Sequence, residues 1–297
     1  MKNRSKTPTP RHPDTSLTVY RPNMRHELGL FHTWTVMAKN VWGARELIWQ
    51  LFKRDFFAQY KKSFVGFAWV FVGPIMGIIS WTLLWKTNIY NPGETSVTFP
   101  VYILVGQSMY GLFMGFLGSA RGTLGAGGSL MLQVNYPHEA LMFKQIASQL
   151  ANYTLSFTTT VVAMFLFGVT PSWGIFLFPL VALPLFFLGA SIGLMLSMIG
   201  IVAVDLNRVI GMVLGFLIWT TPIRYSDKDP HPILAVLIKY NPLTYLVCSC
   251  RDMILHGHFY RHRADIYFAC AGVSVLLFLI AWRLFYVSEH KLVERMI

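Results

Sequence analysis

The side chains best suited to chemistry in this sequence are cations that precede its first long apolar segment. They are Arg45, Lys53, Arg54, Lys61 and Lys62. Lysine and arginine bind phosphate oxygens directly, so Arg54, Lys61 and Lys62 are candidate ligands for a phosphate-bearing molecule at the membrane surface. Two simpler interpretations are contact with ordinary anionic lipid headgroups, and a cationic flank that only anchors the neighbouring membrane helix.

An amphipathic helix over residues 41–62 would position these cations. At 100° per residue, Lys53, Arg54 and Lys61 fall on one arc, and the opposite, wider face is apolar. This pattern is typical of a helix that lies in the membrane interface, with its cations at the level of the phosphates. Asp55 lies on the apolar flank, where we expect it to pair with Arg54 or with a cation elsewhere in the chain.

The composition indicates a membrane protein. Of the 297 residues, 54% are hydrophobic and 13% are charged, whereas soluble domains are about 25% charged. Because about 20 apolar residues cross a bilayer, we predict an all-α polytopic fold with six transmembrane helices. They cover residues 63–85, 99–120, 146–169, 175–204, 209–223 and 266–287. Pro179 and Pro184 in the fourth segment predict a tilt or kink.

The segment PILAVLIKYNPLTYLVCSC is apolar but is interrupted by Lys239 and by Asn241-Pro242. We predict two short helices here that re-enter the membrane from the periplasmic side and gate the pore. A seventh span through Lys239 is the alternative, although a central charge costs a few kcal/mol in a bilayer. The predicted gate residues are Tyr240, Asn241, Pro242, Tyr245, Arg251 and Asp252.

Charge placement predicts the orientation and the domain boundaries. Lysine and arginine are densest in residues 1–62, so the positive-inside rule places both termini in the cytoplasm. Residues 1–39 are interpreted as a disordered basic cytoplasmic tail, and residues 40–297 as one multi-pass domain of the cell (inner) membrane. The net charge of +12 does not indicate nucleic acid, because the cations crowd beside the first span. Three histidines in HGHFYRH lack an acid or thiol nearby, so no metal site is predicted.

One set of residues resembles the N-terminal signature of the ABC-2 type permeases that export polysaccharides such as O-antigen, capsule and teichoic acid. The residues are Arg54, Asp55, Tyr60, Ser63, Gly66, Trp69 and Pro74. Two further segments agree. NYPHEALMFKQI is similar to a cytoplasmic segment of that family, and NPLTYLVCSCRDMILHG is similar to the segment before the family's last span. The chain departs from the family pattern at Gln59, where an arginine is usual, and at Tyr136 and His138.

The resemblance implies a cargo carried on polyprenyl diphosphate and a short cytoplasmic coupling helix near residues 128–134 that contacts an ATPase. The candidate coupling residues are Leu130, Met131, Gln133, Tyr136, Pro137, His138 and Glu139. The chain has no G-x4-G-K-[ST] phosphate loop, so we predict no enzyme activity and no cofactor in this chain. ATP and Mg²⁺ would be bound by two copies of a separate ATPase, and the permease would be a homodimer among membrane lipids.

Aromatic residues are candidates for lining the channel, because sugar rings stack on aromatic planes. The candidates on the first two spans are Trp69, Tyr102, Tyr110, Phe113 and Phe116, and the alternative for each is lipid contact or helix packing. Two other functions stay open at this point. One is an ABC-2 permease for a drug or simple lipid. The other, less favoured because every acid lies in a loop or at a span end, is a membrane-embedded transferase for lipid-linked sugars.

Overall fold

The computed structural model describes residues 30–61, 68–123, 139–228 and 231–294. Within these four ranges the regular structure is entirely helical and contains no strand, which confirms the all-α class. The helices are α1 Leu30–Gly43, α2 Arg45–Lys61, α3 Trp69–Lys86, α4 Phe99–Arg121, α5 Glu139–Leu166, α6 Phe178–Val181, α7 Leu183–Val202, α8 Val204–Thr220, α9 Pro232–Tyr240, α10 Pro242–His256 and α11 Ala264–Glu294.

Helix starts follow local sequence signals. Prolines lie in the first turn of α4, α6, α7, α9 and α10, where the missing backbone N–H has no helical partner to lose. The region of the predicted interfacial helix, residues 41–62, is helical as far as it is described, but a turn at Ala44 divides it between the end of α1 and α2. Its position in a membrane interface stays a prediction. The helix α1 begins ahead of the predicted domain boundary at residue 40.

All six predicted spans fall on helices, but they differ in their capacity to cross a membrane. Three helical stretches of the described chain are long and apolar enough, namely Phe99–Arg121, Phe178–Gly200 and Ala264–Ser288. A fourth is reached if the bent pair of α9 and α10 counts as one span. Of the other three, α3 is a shorter apolar helix, α8 has 17 residues, and α5 has 28 residues but a low hydropathy.

The core forms where α7 packs against α4 on one side and α11 on the other. Two glycines one helical turn apart allow α7 to approach α4 closely. A Cβ atom on Gly193 would lie 2.3 Å from the Leu117 carbonyl oxygen, and one on Gly189 would lie 2.7 Å from the Phe113 carbonyl oxygen. Small residues at this spacing are a common way for membrane helices to pack. The break at Ala182 between α6 and α7 lies between Pro179 and Pro184, where a kink was predicted.

The helices α9 and α10 meet at an angle of 85°. Asn241 stabilises this corner, because its side-chain oxygen accepts a hydrogen bond from Leu243 N at 3.0 Å and so caps α10. Its side-chain nitrogen donates to the hydroxyls of Thr220 and Thr221, both at 3.1 Å, at the end of α8. The sequence therefore predicted the interruption at Asn241-Pro242 correctly, and the structure ties that corner to the neighbouring helix.

Candidate functional site

A cavity of about 560 Å³ lies between α3, α4 and α5. We call it the polar groove, because amide and hydroxyl side chains form one of its walls. These side chains are Gln107 and Ser108 of α4 and Gln149, Asn152, Ser156 and Thr160 of α5. Trp81, Tyr110 and Tyr153 add aromatic rings to the same lining.

The wall on α5 is built by sequence spacing. At 100° per residue, Gln149, Asn152, Ser156 and Thr160 lie within about 80° of one another on the helix. These residues also account for the low hydropathy of α5. Polar side chains at membrane depth are costly and tend to face an interior cavity or a functional pathway. The stripe was visible in the sequence as polar residues at helical spacing, but our sequence analysis concentrated on aromatics and missed it.

Close packing fixes parts of this wall. A Cβ atom on Gly115 would lie 1.7 Å from the Gln149 amide nitrogen, so the glycine leaves the space that this side chain occupies. The Tyr153 hydroxyl is 3.5 Å from the Ser108 hydroxyl, which donates to it, and the Tyr153 ring stacks on Phe157. The amide and phenol groups are therefore held in defined positions.

The described lining of the polar groove contains no charged side chain. Amides and hydroxyls both donate and accept hydrogen bonds, and so do the hydroxyl groups of a sugar. The rest of the lining is apolar and includes Ile103 and Met114. The groove therefore suits an uncharged molecule with both hydroxyl groups and apolar faces, such as a sugar chain, better than an ion.

The structure separates the five aromatics that we predicted to line the channel. Tyr110 lines the polar groove, and its hydroxyl donates to the Leu214 carbonyl at 3.3 Å. Tyr102 lies instead in a second cavity. Phe113 and Phe116 are buried in the core, and Trp69 is 58% exposed on the surface. Their predicted contact with cargo stays a prediction.

Asp55 has both of the partners that the sequence suggested. The Arg54 Nε lies 2.8 Å from one carboxylate oxygen, and the Lys144 Nζ of α5 lies 2.6 Å from the other. Partial burial alone would raise the pKa of the Asp55 carboxyl, but the hydrogen bonds and charges of Arg54 and Lys144 hold that pKa below its ordinary value. The ion pair joins the interfacial helix α2 to the start of α5.

The remaining predicted phosphate ligands divide between the described and undescribed parts of the chain. Arg54 and Lys61 are exposed on α2. Lys53, on the same helix, lies 5.0 Å from the centre of the Trp49 ring, a cation–π contact. Lys62, Ser63 and Gly66 lie outside the described residues, as does the side chain of Tyr60.

The predicted ATPase contact also lies outside the described part of the chain. It includes Leu130, Met131, Gln133, Tyr136, Pro137 and His138. Glu139 is the first residue of α5, and its side chain is not described. Residues 124–138 therefore connect the two helices, α4 and α5, that carry most of the polar groove.

Two of the predicted gate residues form a buried ion pair. The Arg251 Nε lies 2.8 Å from the Asp252 carboxylate, and its Nη1 donates to the Pro222 carbonyl at 2.8 Å. The guanidinium also lies 4.2 Å from the centre of the Tyr102 ring. By contrast, Tyr240 is exposed, and the Tyr245 hydroxyl donates to the Lys239 carbonyl.

The three histidines of HGHFYRH stack on one another. Ring centres are 5.6 Å apart for His256 and His258, and 4.2 Å apart for His258 and His262. Within the described ranges, no three His, Cys, Asp or Glu side chains are grouped to hold a metal ion.

Comparison with known proteins gives a consistent result. The model of the ABC-2 type transporter family matches residues 46–255. The chain is 26% identical over 267 residues to the O-antigen export system permease protein RfbA of Myxococcus xanthus, covering 87% of this chain and 98% of that protein. It is 21% identical over 257 residues to a protein of the same name from Klebsiella pneumoniae, covering 84% and 94% of the two chains.

Proposed function

Because the chain belongs to the ABC-2 type transporter family, we propose that it is the membrane-spanning permease of an exporter of polyprenyl-diphosphate-linked polysaccharide. A separate ATPase would supply the energy. Relatives that align over almost their whole length are named O-antigen export permeases, which supports a glycan as the cargo. The exact glycan would be of the O-antigen, capsule or teichoic acid type.

The observation that carries this proposal is the uncharged polar groove. Much of its lining is apolar, as in a site for a drug or a simple lipid, but one wall carries a row of amide and hydroxyl side chains that such cargo would not need. Here Gln107, Gln149 and Asn152 place amides among aromatic rings. That combination offers hydrogen bonds to hydroxyl groups and stacking surfaces to sugar rings without selecting one sugar.

The proposed topology has six spans. The three long apolar stretches would be joined by α3, α5 and α8, with the polar face of α5 turned towards the groove and away from lipid. The corner at Asn241 would then be a re-entrant gate on the periplasmic side, and both termini would be cytoplasmic. This arrangement matches the six predicted segments in number and order.

We further propose that the permease works as a homodimer with two ATPase subunits. Large apolar side chains of α8 are exposed in the single chain, with Met212 at 69% and Phe216 at 68%. A second copy would cover part of such a surface, and two-fold pairs are the commonest closed assembly. Lipid would cover the remainder.

Energy transfer would run through residues 124–138, which include the predicted coupling residues. A displacement of these residues by the ATPase would be transmitted directly to α5, because Lys144 and Gln149 lie within the first three turns of that helix. Through the Lys144–Asp55 pair, the same displacement would reach α2. The exposed Arg54 and Lys61, with Lys62, would bind the lipid diphosphate at the interface where α2 lies.

The test is to purify the chain together with a candidate ABC ATPase from the same organism, and to reconstitute the complex in vesicles. We expect a stable complex whose ATPase rate rises with lipid-linked polysaccharide and falls when Tyr136, Pro137 and His138 are replaced by alanine. A matched triple alanine variant of exposed α11 residues outside the proposed interfaces, Val273, Leu276 and Ile280, controls for general damage. Failure to form a complex, or an ATPase rate that ignores the cargo, would contradict the proposal.

A further inference from the structure

We propose that a second cavity binds one neutral sugar unit of the polymer as it leaves the permease. This outer cavity has a volume of about 420 Å³ and lies at the end of the molecule away from the Lys144–Asp55 pair. Its walls are the loop before α4, the loop after α8, the end of α10 and the segment that follows α10. The inference rests on the proposed export of polysaccharide and extends it to a defined exit site.

Opposite charges are matched one to one in the outer cavity. Each of its three cations contacts one of its three acids, with N–O distances of 3.3, 2.8 and 2.9 Å. The pairs are Lys228–Glu94, Arg251–Asp252 and Arg261–Asp227. A phosphate or uronate site would need a cation without a carboxylate beside it. The charge balance therefore favours an uncharged ligand.

Two of these three ion pairs are held in place before any ligand binds, whereas the side chains of Lys228 and Glu94 are exposed. Arg251 is 3% exposed and is fixed by Asp252, the Pro222 carbonyl and the Tyr102 ring. On the opposite wall, the Tyr260 hydroxyl donates to Asp227, and Arg261 also donates to the Asp227 backbone carbonyl. A preorganised site loses less entropy on binding.

Neutral groups complete the lining. Ser96, Ser226, His256 and His258 add hydroxyls and imidazoles to the cavity. The His256 Nε2 lies 3.0 Å from the Ser96 hydroxyl, so these groups present both donors and acceptors towards the cavity. Hydroxyl groups of a sugar need this mixture. The rings of Tyr102 and Tyr260 are buried beneath the guanidinium groups of Arg251 and Arg261, so binding would rest on hydrogen bonds and not on ring stacking.

The outer cavity and the polar groove lie on two sides of the start of α4. Pro100 and Ile103 line the polar groove, whereas Tyr102 lines the outer cavity. The first turn of α4 therefore forms a wall between the two sites, and a polymer that leaves the groove at this end would pass around that turn to reach the outer cavity.

The experiment uses a Ser96→Cys variant of the full permease–ATPase complex in vesicles and a membrane-impermeant maleimide added from outside. The three native cysteines are buried or half-buried, so Cys labelling reports on position 96. At twice its dissociation constant, a neutral probe such as maltotriose should slow labelling about threefold by simple occupancy. Thr87→Cys, exposed in the same loop region but outside the cavity lining, should show no protection.

A second variant and two charged probes make the outcomes distinct. Adding Ser226→Leu should narrow the cavity and abolish protection while the complex still hydrolyses ATP. Stronger protection by glucuronate or inorganic phosphate would overturn the assignment to neutral sugars. No protection by any sugar, with polysaccharide-dependent ATPase intact, would overturn the exit site alone. Loss of both responses in the wild-type complex would overturn the proposed function as well.

Discussion

The Lys144 ammonium of α5 lies 2.6 Å from the Asp55 carboxylate of α2, and it is the only contact of that lysine with an acid among the described residues. The Lys144 side chain is 9% exposed and that of Asp55 is 35% exposed. A buried cation is stable only if its partner stays in place. The pair therefore fixes the interfacial helix to the helix that carries the polar stripe.

Replacement of Asp55 by Asn should destabilise the protein, because it leaves the Lys144 ammonium buried without a counter-charge. We expect a loss of about 1–3 kcal/mol, typical for a buried charged group that loses its partner. The measurement is the thermal unfolding midpoint in detergent.

Asp205→Asn is the matched control, because Asp205 pairs with Arg208 where both side chains are at least 71% exposed. Such pairs contribute about 0–1 kcal/mol. A double variant, Asp55→Leu with Lys144→Met, should recover much of the loss. Equal midpoints for Asp55→Asn and Asp205→Asn would show that the pair does not stabilise the fold.

The contribution of Asp55 should depend on pH in one direction. Its pKa in the folded protein lies below the ordinary value of 3.8. A carboxyl with a lowered folded pKa contributes stability above its unfolded pKa and loses it as the pH falls through the folded value. The difference in unfolding midpoint between the wild type and Asp55→Asn should thus be constant from neutral pH to about pH 5 and shrink as the pH falls through 3.8 towards the lower folded value. A difference that shrinks near pH 6 would assign the effect to another group.

Replacement of Gly193 by Ala should weaken the packing of α7 on α4. The new methyl group would lie 2.3 Å from the Leu117 carbonyl oxygen, which is backbone and cannot rotate away. Overpacking of this kind costs about 1–3 kcal/mol. Gly118→Ala is the control, since nothing lies within 4 Å of a Cβ atom there. We expect a lower unfolding midpoint for Gly193→Ala only. Indistinguishable variants would mean that α4 and α7 can separate without cost.

The sequence predicted the elements of this fold better than their contacts. Hydrophobic length located the helices, and Asn241-Pro242 located the corner between α9 and α10, because these signals are local. Because a carboxylate on an apolar helix face is costly without a partner, the sequence predicted that Asp55 pairs with a cation. Arg54 was a candidate because it is the adjacent residue in the sequence. Lys144, 89 positions away, could not be identified because that contact depends on how α2 packs on α5.

The predicted site shows the same division. Because sugar rings stack on aromatic planes, we predicted that aromatic residues line the channel. In the structure Phe113 and Phe116 face the core, whereas Tyr110 faces the groove. Which of these residues faces the groove depends on the rotation of α4 in the folded chain. The stripe on α5 was a local signal. A polar stripe is ordinary in a helix at the surface of a soluble protein, but a membrane-spanning helix is expected to be apolar on all sides. The stripe on α5 is therefore informative only once the helix is taken to span a membrane.

Replacement of Asn152 by Leu should reduce export more than replacement of Thr158 by Leu. The amide lies in the middle of the polar stripe and lines the groove, so leucine removes hydrogen bonds to the cargo while adding a side chain that membrane helices accept readily. Losing about 1.4 kcal/mol of interaction corresponds to a tenfold loss in binding. We therefore expect cargo-stimulated ATPase to need about ten times more lipid-linked polysaccharide.

Thr158→Leu is the control, because Thr158 lies on the opposite side of α5 from Gln149 and bonds only back to the Thr154 carbonyl among the described residues. Both variants should still assemble with the ATPase. If Asn152→Leu exports as well as Thr158→Leu, the polar groove is not the path of the polysaccharide.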